Sequence, residues 1–166
     1  MIEDSAQVAG ELKAAMRSFA KSVVIITAQL DGQRYAMAAS AVDCLTLDPP
    51  SMLICVNRSA SLWLPLAKGA DFAINLLSAE QQHLAVHCST GARGDDRFSE
   101  GAWASSEADP PILSDALASI VCRQQTSTTY GTHQLFIGAV RSVARQRDAD
   151  PLVHSNGAYH RLASAA

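Results

Sequence analysis

The sequence predicts a mainly β domain, a barrel or sandwich of short antiparallel strands with a few helices attached. Three observations carry this. Short β-branched or apolar runs recur along the chain, tight-turn dipeptides separate several of them, and only two segments have good helical spacing. An alternating helix–strand pattern, the mark of a doubly wound sheet, is missing.

The elements follow in order. Val8, Leu12, Ala15, Met16 and Phe19 recur at helical spacing, with Glu11, Lys13 and Arg17 off that face, so the chain opens with an amphipathic helix. Residues 23–27 (Val-Val-Ile-Ile-Thr) form a strand. Asp31-Gly32 is a hairpin turn, and residues 35–42 return as the second strand. Asp48-Pro49-Pro50 is extended, because proline biases its predecessor away from helix. Residues 52–56 are a buried strand. Residues 59–68 are a short helix interrupted by Pro65 and closed by Gly69, and residues 71–77 are a strand.

Ser78 and Gln81 have capping-box spacing ahead of Leu84, Ala85 and Cys88, which predicts a second helix. Residues 91–99 are a polar loop. Residues 117–124, 133–143 and 152–162 are strands, the last bent at Asn156-Gly157. The sum is seven or eight strands and two or three helices in a single domain spanning residues 1–166.

Composition narrows the function. The 166 residues are 48% hydrophobic and 17% charged, with net charge −3. Such a chain folds, and it advertises no basic surface for nucleic acid. No apolar run approaches the roughly 20 residues of a membrane span. The acidic start lacks a signal peptide's basic and apolar regions. Cys44, Cys55, Cys88 and Cys122 are widely spaced, which reads as buried free thiols in a reducing compartment, the cytoplasm.

The chain has no G-x-G-x-x-G after a strand, no P-loop and no G-x-S-x-G elbow. His83 and His87 have the i, i+4 spacing of a metal pair, but the zincin glutamate is absent, so they read as solvent-facing or capping residues. His154 and His160 read as surface residues. No metal site is expected. Two short segments carry more. In Asn57-Arg58-Ser59-Ala60-Ser61, an apolar strand runs into a cluster of donors. Either Ser59 merely caps the following helix, or the donors and the helix N-terminus hold a phosphate. Gly131-Thr132-His133 places an imidazole at a strand mouth, over a ligand or simply after a turn.

Together these segments resemble the short-chain flavin reductase family, whose fold is the FMN-binding split β-barrel. The likeness runs from about residue 10 to residue 162. It rests on Met16-Arg17-Ser18-Phe19-Ala20 leading into the first strand, and on Met37 to Val42 through Leu47-Asp48-Pro49-Pro50. It rests further on Leu53 to Ser61 and on Phe72 to Leu77 with Gln81. The last block is Gly131-Thr132-His133 with Leu135 to Gly138, Pro151-Leu152-Val153 and Gly157-Ala158-Tyr159. The Gly-Thr-His form and Tyr159-His160 are most similar to reductase components of two-component 4-hydroxyphenylacetate-type monooxygenases.

The resemblance implies a homodimer that transfers hydride from NADH or NADPH to FMN or FAD. Reduced flavin then diffuses to a partner monooxygenase. It implies that Ala38, Ala39, Ser40, Ala41 and Val42 lie along the flavin ring. Asn57, Arg58, Ser59 and Ser61 would hold the phosphate, Arg97 and Phe98 would approach the flavin from a loop, and Tyr159 would join the cofactor site. His133 would touch the ring edge or the nicotinamide as the catalytic-site residue. The family commonly has Thr at Ala38 and Ser or Thr at Ala41, and a small neutral residue at Asp43. These departures imply that Asp43 points away from the ring or that flavin binds weakly. A non-catalytic flavin- or haem-binding split barrel is the alternative, and a pyridoxamine-phosphate oxidase-like enzyme ranks behind it.

Overall fold

A computed structural model describes residues 5–146 and 149–162. Its main sheet has seven antiparallel strands. They are β2 (Val24–Leu30), β3 (Gln33–Ala39), β4 (Val42–Leu47), β5 (Pro50–Asn57), β6 (Phe72–Leu76), β9 (Ala118–Tyr130) and β10 (His133–Arg145), in the order β3-β2-β6-β9-β10-β5-β4. A three-stranded sheet combines β1 (Lys21–Ser22), β11 (Val153–Ser155) and β12 (Ala158–His160). A small ribbon pairs β7 (Trp103–Ala104) with β8 (Ile112–Leu113). The helices are α1 (Ser5–Met16), α2 (Trp63–Ala67) and α3 (Gln82–Val86).

The strand order dictates the shape. β3 and β4 are the two edges of the main sheet, yet only Ser40 and Ala41 separate them in sequence. The step from Ala39 to Val42 spans at most about 11 Å, three Cα–Cα steps. Seven strands laid flat would part their edges by about 29 Å. The sheet therefore curls until its edges approach. β3 and β4 do not pair, so the barrel is split where the 38–42 segment crosses.

β2 is buried on both faces, which is why its run of β-branched residues is continuous. Val24, Ile26 and Ala28 point into the barrel with Ile54, Val56, Phe72, Ile74 and Phe136, over Leu62 and Leu66. Val23 and Ile25 face a second core made with Leu77, Leu84, Ala85, Phe98 and Leu113. At Gly138 in β10, an added Cβ would lie 2.7 Å from both Cys122 Cβ and Phe72 Cζ, so only glycine fits there.

Several expectations need correction. The first helix forms but ends at Met16, before Phe19, and none of its residues is buried: Val8, Leu12 and Met16 are 43%, 60% and 44% exposed, and Phe19 beyond it is 56% exposed. The expected strand over 35–42 ends at Ala39. Val42–Leu47 is a separate strand that hydrophobic periodicity missed, because its polar Asp43 and exposed Cys44 lie on a sheet edge. Asp48-Pro49 is a cis turn joining β4 to β5 rather than an extended link. The helix expected over 59–68 shrinks to Trp63–Ala67. Part of the 91–99 loop is a 3₁₀ turn, Gly94–Phe98. The strand beginning near residue 117 runs on to Tyr130. The bend at Asn156-Gly157 is a full hairpin turn, with φ of 51° and 79°, and Asp31-Gly32 turns likewise at 51° and 76°. The four cysteines are free, but Cys44 is exposed, against the expectation of burial. Burial pushes the Cys88 thiol up to about 11 and the Cys122 thiol up to about 12, so neither is a nucleophile at neutral pH.

Candidate active site

The predicted residues gather around the split. Asn57 ends β5 directly opposite His133, which starts β10. Gly131, at φ 56°, takes the first central position of the two-residue β9–β10 turn, and this puts His133 at the strand mouth. The Arg58 N–H donates to Thr132 O at 3.0 Å and ties the two loops together. Thr132 Oγ1 lies 2.9 Å from His133 Nδ1 and fixes one side of the exposed imidazole.

The donor cluster after β5 is a turn. Asn57 Oδ1 accepts both the Ser59 N–H and the Ser59 hydroxyl, each at 2.9 Å. α2 starts only at Trp63, and Leu62 precedes it without a side-chain cap. Ser59 is therefore not a helix cap, and a helix N-terminus cannot be the phosphate cradle. The Arg58, Ser59 and Ala60 N–H groups are all used within these loops, so the donor left available is the Arg58 guanidinium. The Arg58 guanidinium sits 5.9 Å over the Trp63 ring, and Trp63 Nε1 donates to Gln134 Oε1 at 2.7 Å. Arg58 makes no ion pair among the described residues, which leaves its charge available to a ligand.

Arg97 braces this turn from the far side. Its Nε donates to Ala92 O at 2.9 Å, and its Nη1 is shared between Ala36 O and Ser61 Oγ. Arg97 thus links β3 to the donor turn. Phe98 is mostly enclosed. It is 8% exposed, meets Trp103 edge-on at 5.1 Å and lies 4.4 Å beneath the Arg34 guanidinium. The ring thus packs in the second core.

Arg34 also grips Asp95 through two hydrogen bonds of 2.8 and 2.7 Å. Those bonds hold the Asp95 carboxyl below the usual carboxylate range, so the pair is complete at neutral pH and is lost as pH falls through the acid range. His87, expected only as a solvent-facing or capping residue, braces this segment. Its Nε2 donates to Asp96 O at 2.8 Å and its Nδ1 lies 3.6 Å from Glu100, which pins the segment that carries Arg97.

The 38–42 strip runs between two anchors. Ala41 O accepts the Cys55 N–H at 2.9 Å, and the Val42 side chain packs into the barrel, so these residues offer backbone only. Asp43 Oδ1 accepts the Cys44 N–H at 2.9 Å. At the β3 end, Ala38, Ala39 and Ser40 line a cleft of about 150 Å³ with Val23, Ser89, His154 and Tyr159. Tyr159 meets His154 edge-on at 5.3 Å. Ser89 and His154 were invisible as site residues, because only the curled sheet and the C-terminal hairpin bring them to the strip. Among the described residues, no cluster of His, Cys, Asp or Glu could hold a metal ion.

The split barrel thus carries a donor turn at one end of a small-residue strip and a cleft with Tyr159 at the other. The flavin reductase like domain matches residues 16–163, and the chain belongs to that family. FMN reductase (NADH) RutF of Methylorubrum populi is 33% identical over 95% of this chain and 78% of its own. The reductase component of an FADH(2)-dependent resorcinol hydroxylase of Rhizobium sp. is 33% identical over 89% of this chain and 83% of its own. Among solved structures, the NADH:FAD oxidoreductase SgcE6 of Streptomyces globisporus superposes with a TM-score of 0.86 at 26% identity, covering 98% of this chain and 97% of its own. BorF, the flavin reductase component of a bacterial two-component tryptophan halogenase, gives 0.84 at 28%, covering 95% and 99%.

Proposed function

We propose that this chain is an NAD(P)H-dependent flavin reductase, a single functional domain that supplies reduced flavin to a separate flavin-dependent monooxygenase or a related enzyme. The observation that carries the reading is the 38–42 strip. Its small side chains let a planar ring approach the backbone, and it is flanked by a turn whose Arg58 charge is unmatched within the described chain. These residues fit a flavin: the Arg58 guanidinium and the Ser61 hydroxyl would hold its phosphate, joined by the Ser59 hydroxyl once it turns from Asn57. Ala38, Ala39, Ser40, Ala41 and Val42 would lie along the ring through backbone donors and acceptors.

When bound, the flavin supplies a ring that takes hydride from a reduced nicotinamide. The chain's task is orientation. Arg97 holds Ser61 against β3, the Asn57 turn fixes Ser59, and His133 stands at the mouth to position the ring edge or the nicotinamide. Tyr159 closes the cleft at the β3 end.

The test is NADH oxidation by purified protein with and without added FMN or FAD. Turnover that needs added flavin supports the reading; a protein that binds flavin without oxidising NADH or NADPH is a non-catalytic binder. Ser59→Ala with Ser61→Ala is expected to weaken FMN binding by about 1–3 kcal/mol, the scale of lost donors to a charged group. Unchanged affinity in a fluorescence titration places the phosphate elsewhere.

We also infer a homodimer. The apolar stripe Val8, Leu12, Met16 and Phe19 is unburied in one chain, and an amphipathic helix gains stability by covering that stripe. Light scattering at micromolar concentration should give twice the monomer mass, and Leu12→Glu should shift it to the monomer. A wild-type monomer sinks this inference. Free thiols support a cytoplasmic setting, and among the described residues no helix is long and apolar enough to cross a membrane.

A further inference from the structure

Lys21, His154 and Tyr159 form one row across the small sheet. Lys21 is paired with His154, and His154 with Tyr159. Directly paired residues place their side chains on the same face. His154 and Tyr159 line the cleft at Ala38, Ala39 and Ser40, and so does Val23, two residues along from Lys21. The ammonium, the imidazole nitrogens and the phenol hydroxyl make no hydrogen bond or ion pair among the described residues. Arg34, Arg97, Arg141 and Arg161 are all matched to carboxylates or carbonyls. His154 and Tyr159 line the cleft, Lys21 stands beside them on the same face, and none of the three has a hydrogen-bond or ion-pair partner among the described residues; in a chain of net charge −3 this row suits an anion.

The two ends of the strip differ in what they can take. The Arg58 turn follows β5 and lies at the β4 edge of the split. The Lys21 row adjoins the β3 edge, where the Val23 N–H donates to Leu152 O at 2.9 Å. Reduction of a flavin by a nicotinamide dinucleotide brings two phosphate-bearing molecules to one strip, with their rings stacked and their phosphates separate. We propose that the Lys21–His154–Tyr159 row is the subsite for the diphosphate of the reduced nicotinamide dinucleotide. This assignment rests on the flavin reductase reading. Lys21 supplies the positive charge, and His154 and Tyr159 donate hydrogen bonds from the adjacent strands. The nicotinamide end is thereby directed toward Ala38, Ala39 and Ser40.

The experiment compares wild type with the Lys21→Gln, His154→Asn double variant. Both side chains lie outside the core, so thermal unfolding should be unchanged. One donor is NADH; the other is 1-benzyl-1,4-dihydronicotinamide, which has the same reacting ring and no phosphate. The ratio of kcat/KM for NADH to that for the benzyl donor should fall about 10-fold in the variant, a scale set by charge-assisted bonds to phosphate. NAD⁺ affinity by calorimetry should fall in parallel, the flavin dissociation constant should stay within about two-fold in the Lys21→Gln single variant, and Lys21→Arg should keep most of the NAD⁺ affinity. Equal losses with both donors, a loss of flavin affinity, or unchanged NAD⁺ affinity would each overturn the assignment. Wild-type protein that loses NAD⁺ affinity on these substitutions but oxidises neither donor would sink the reductase reading and leave the subsite standing.

Discussion

Asn75→Ala is expected to lower the stability of the fold by about 3 kcal/mol, the sum expected when several buried polar groups lose their partner at once. Asn75 is fully buried in β6. Its Nδ2 donates to Ile25 O at 3.0 Å, and its Oδ1 accepts the Leu113 N–H at 2.8 Å and the Ser119 hydroxyl at 2.9 Å. One side chain thus holds β2, β9 and the short ribbon against β6. Truncation leaves a carbonyl and an N–H without their bonds, while Ser119 keeps a second partner in Leu113 O at 3.1 Å. Urea unfolding should show a lower midpoint with a similar slope. A loss under about 1 kcal/mol would mean that water replaces the side chain.

The sequence contained the motif Phe72-Ala73-Ile74-Asn75-Leu76-Leu77, but nothing in it separates a buried hub from a polar residue on a strand. The strand itself was legible, because burial on both faces selects an unbroken apolar run. So were the hairpin at Asp31-Gly32 and the Ser78–Gln81 capping-box pair, in which Gln81 Oε1 accepts the Ser78 N–H at 3.0 Å. These are local signals, set by backbone torsions and neighbouring donors. β4 was missed because an edge strand carries no alternation, and its pairing with β5 depends on a turn at Pro49 that patterning read as extended.

The same division holds at the site. Asn57, Ser59 and His133 were legible as a donor turn and a strand mouth, because short spacings carry them. What joins these residues was not: Arg97 reaches Ser61 from 36 residues away, and the cleft joins Ser40 to Tyr159 through the curl of the sheet. Phe98 shows the converse. A loop aromatic beside an arginine looks available in sequence, yet Arg34 and Trp103 enclose it. Long-range closure decides which side chains reach solvent, and no local pattern records it.

His133→Ala is expected to reduce kcat/KM for the nicotinamide about 10- to 100-fold, the loss that follows when a reacting atom is displaced by about 1 Å. The imidazole is exposed, outside both cores, so the variant should unfold at the wild-type temperature. Its backbone pairs with Asn57 and Tyr130 survive the substitution. What is lost is a ring held at Nδ1 by Thr132 and facing the mouth where the donor turn and β10 meet. A positioning role acts through the ring's place. The ratio of wild-type to variant rate should therefore stay flat between about pH 6 and pH 8, the range in which an ordinary imidazole changes charge. His133→Asn, which keeps a polar donor at that place, should recover part of the loss. A ratio that changes steeply through this range assigns the effect to the imidazole's charge instead. Wild-type kinetics in the alanine variant would leave His133 as a residue that follows a turn and does nothing to the reacting rings.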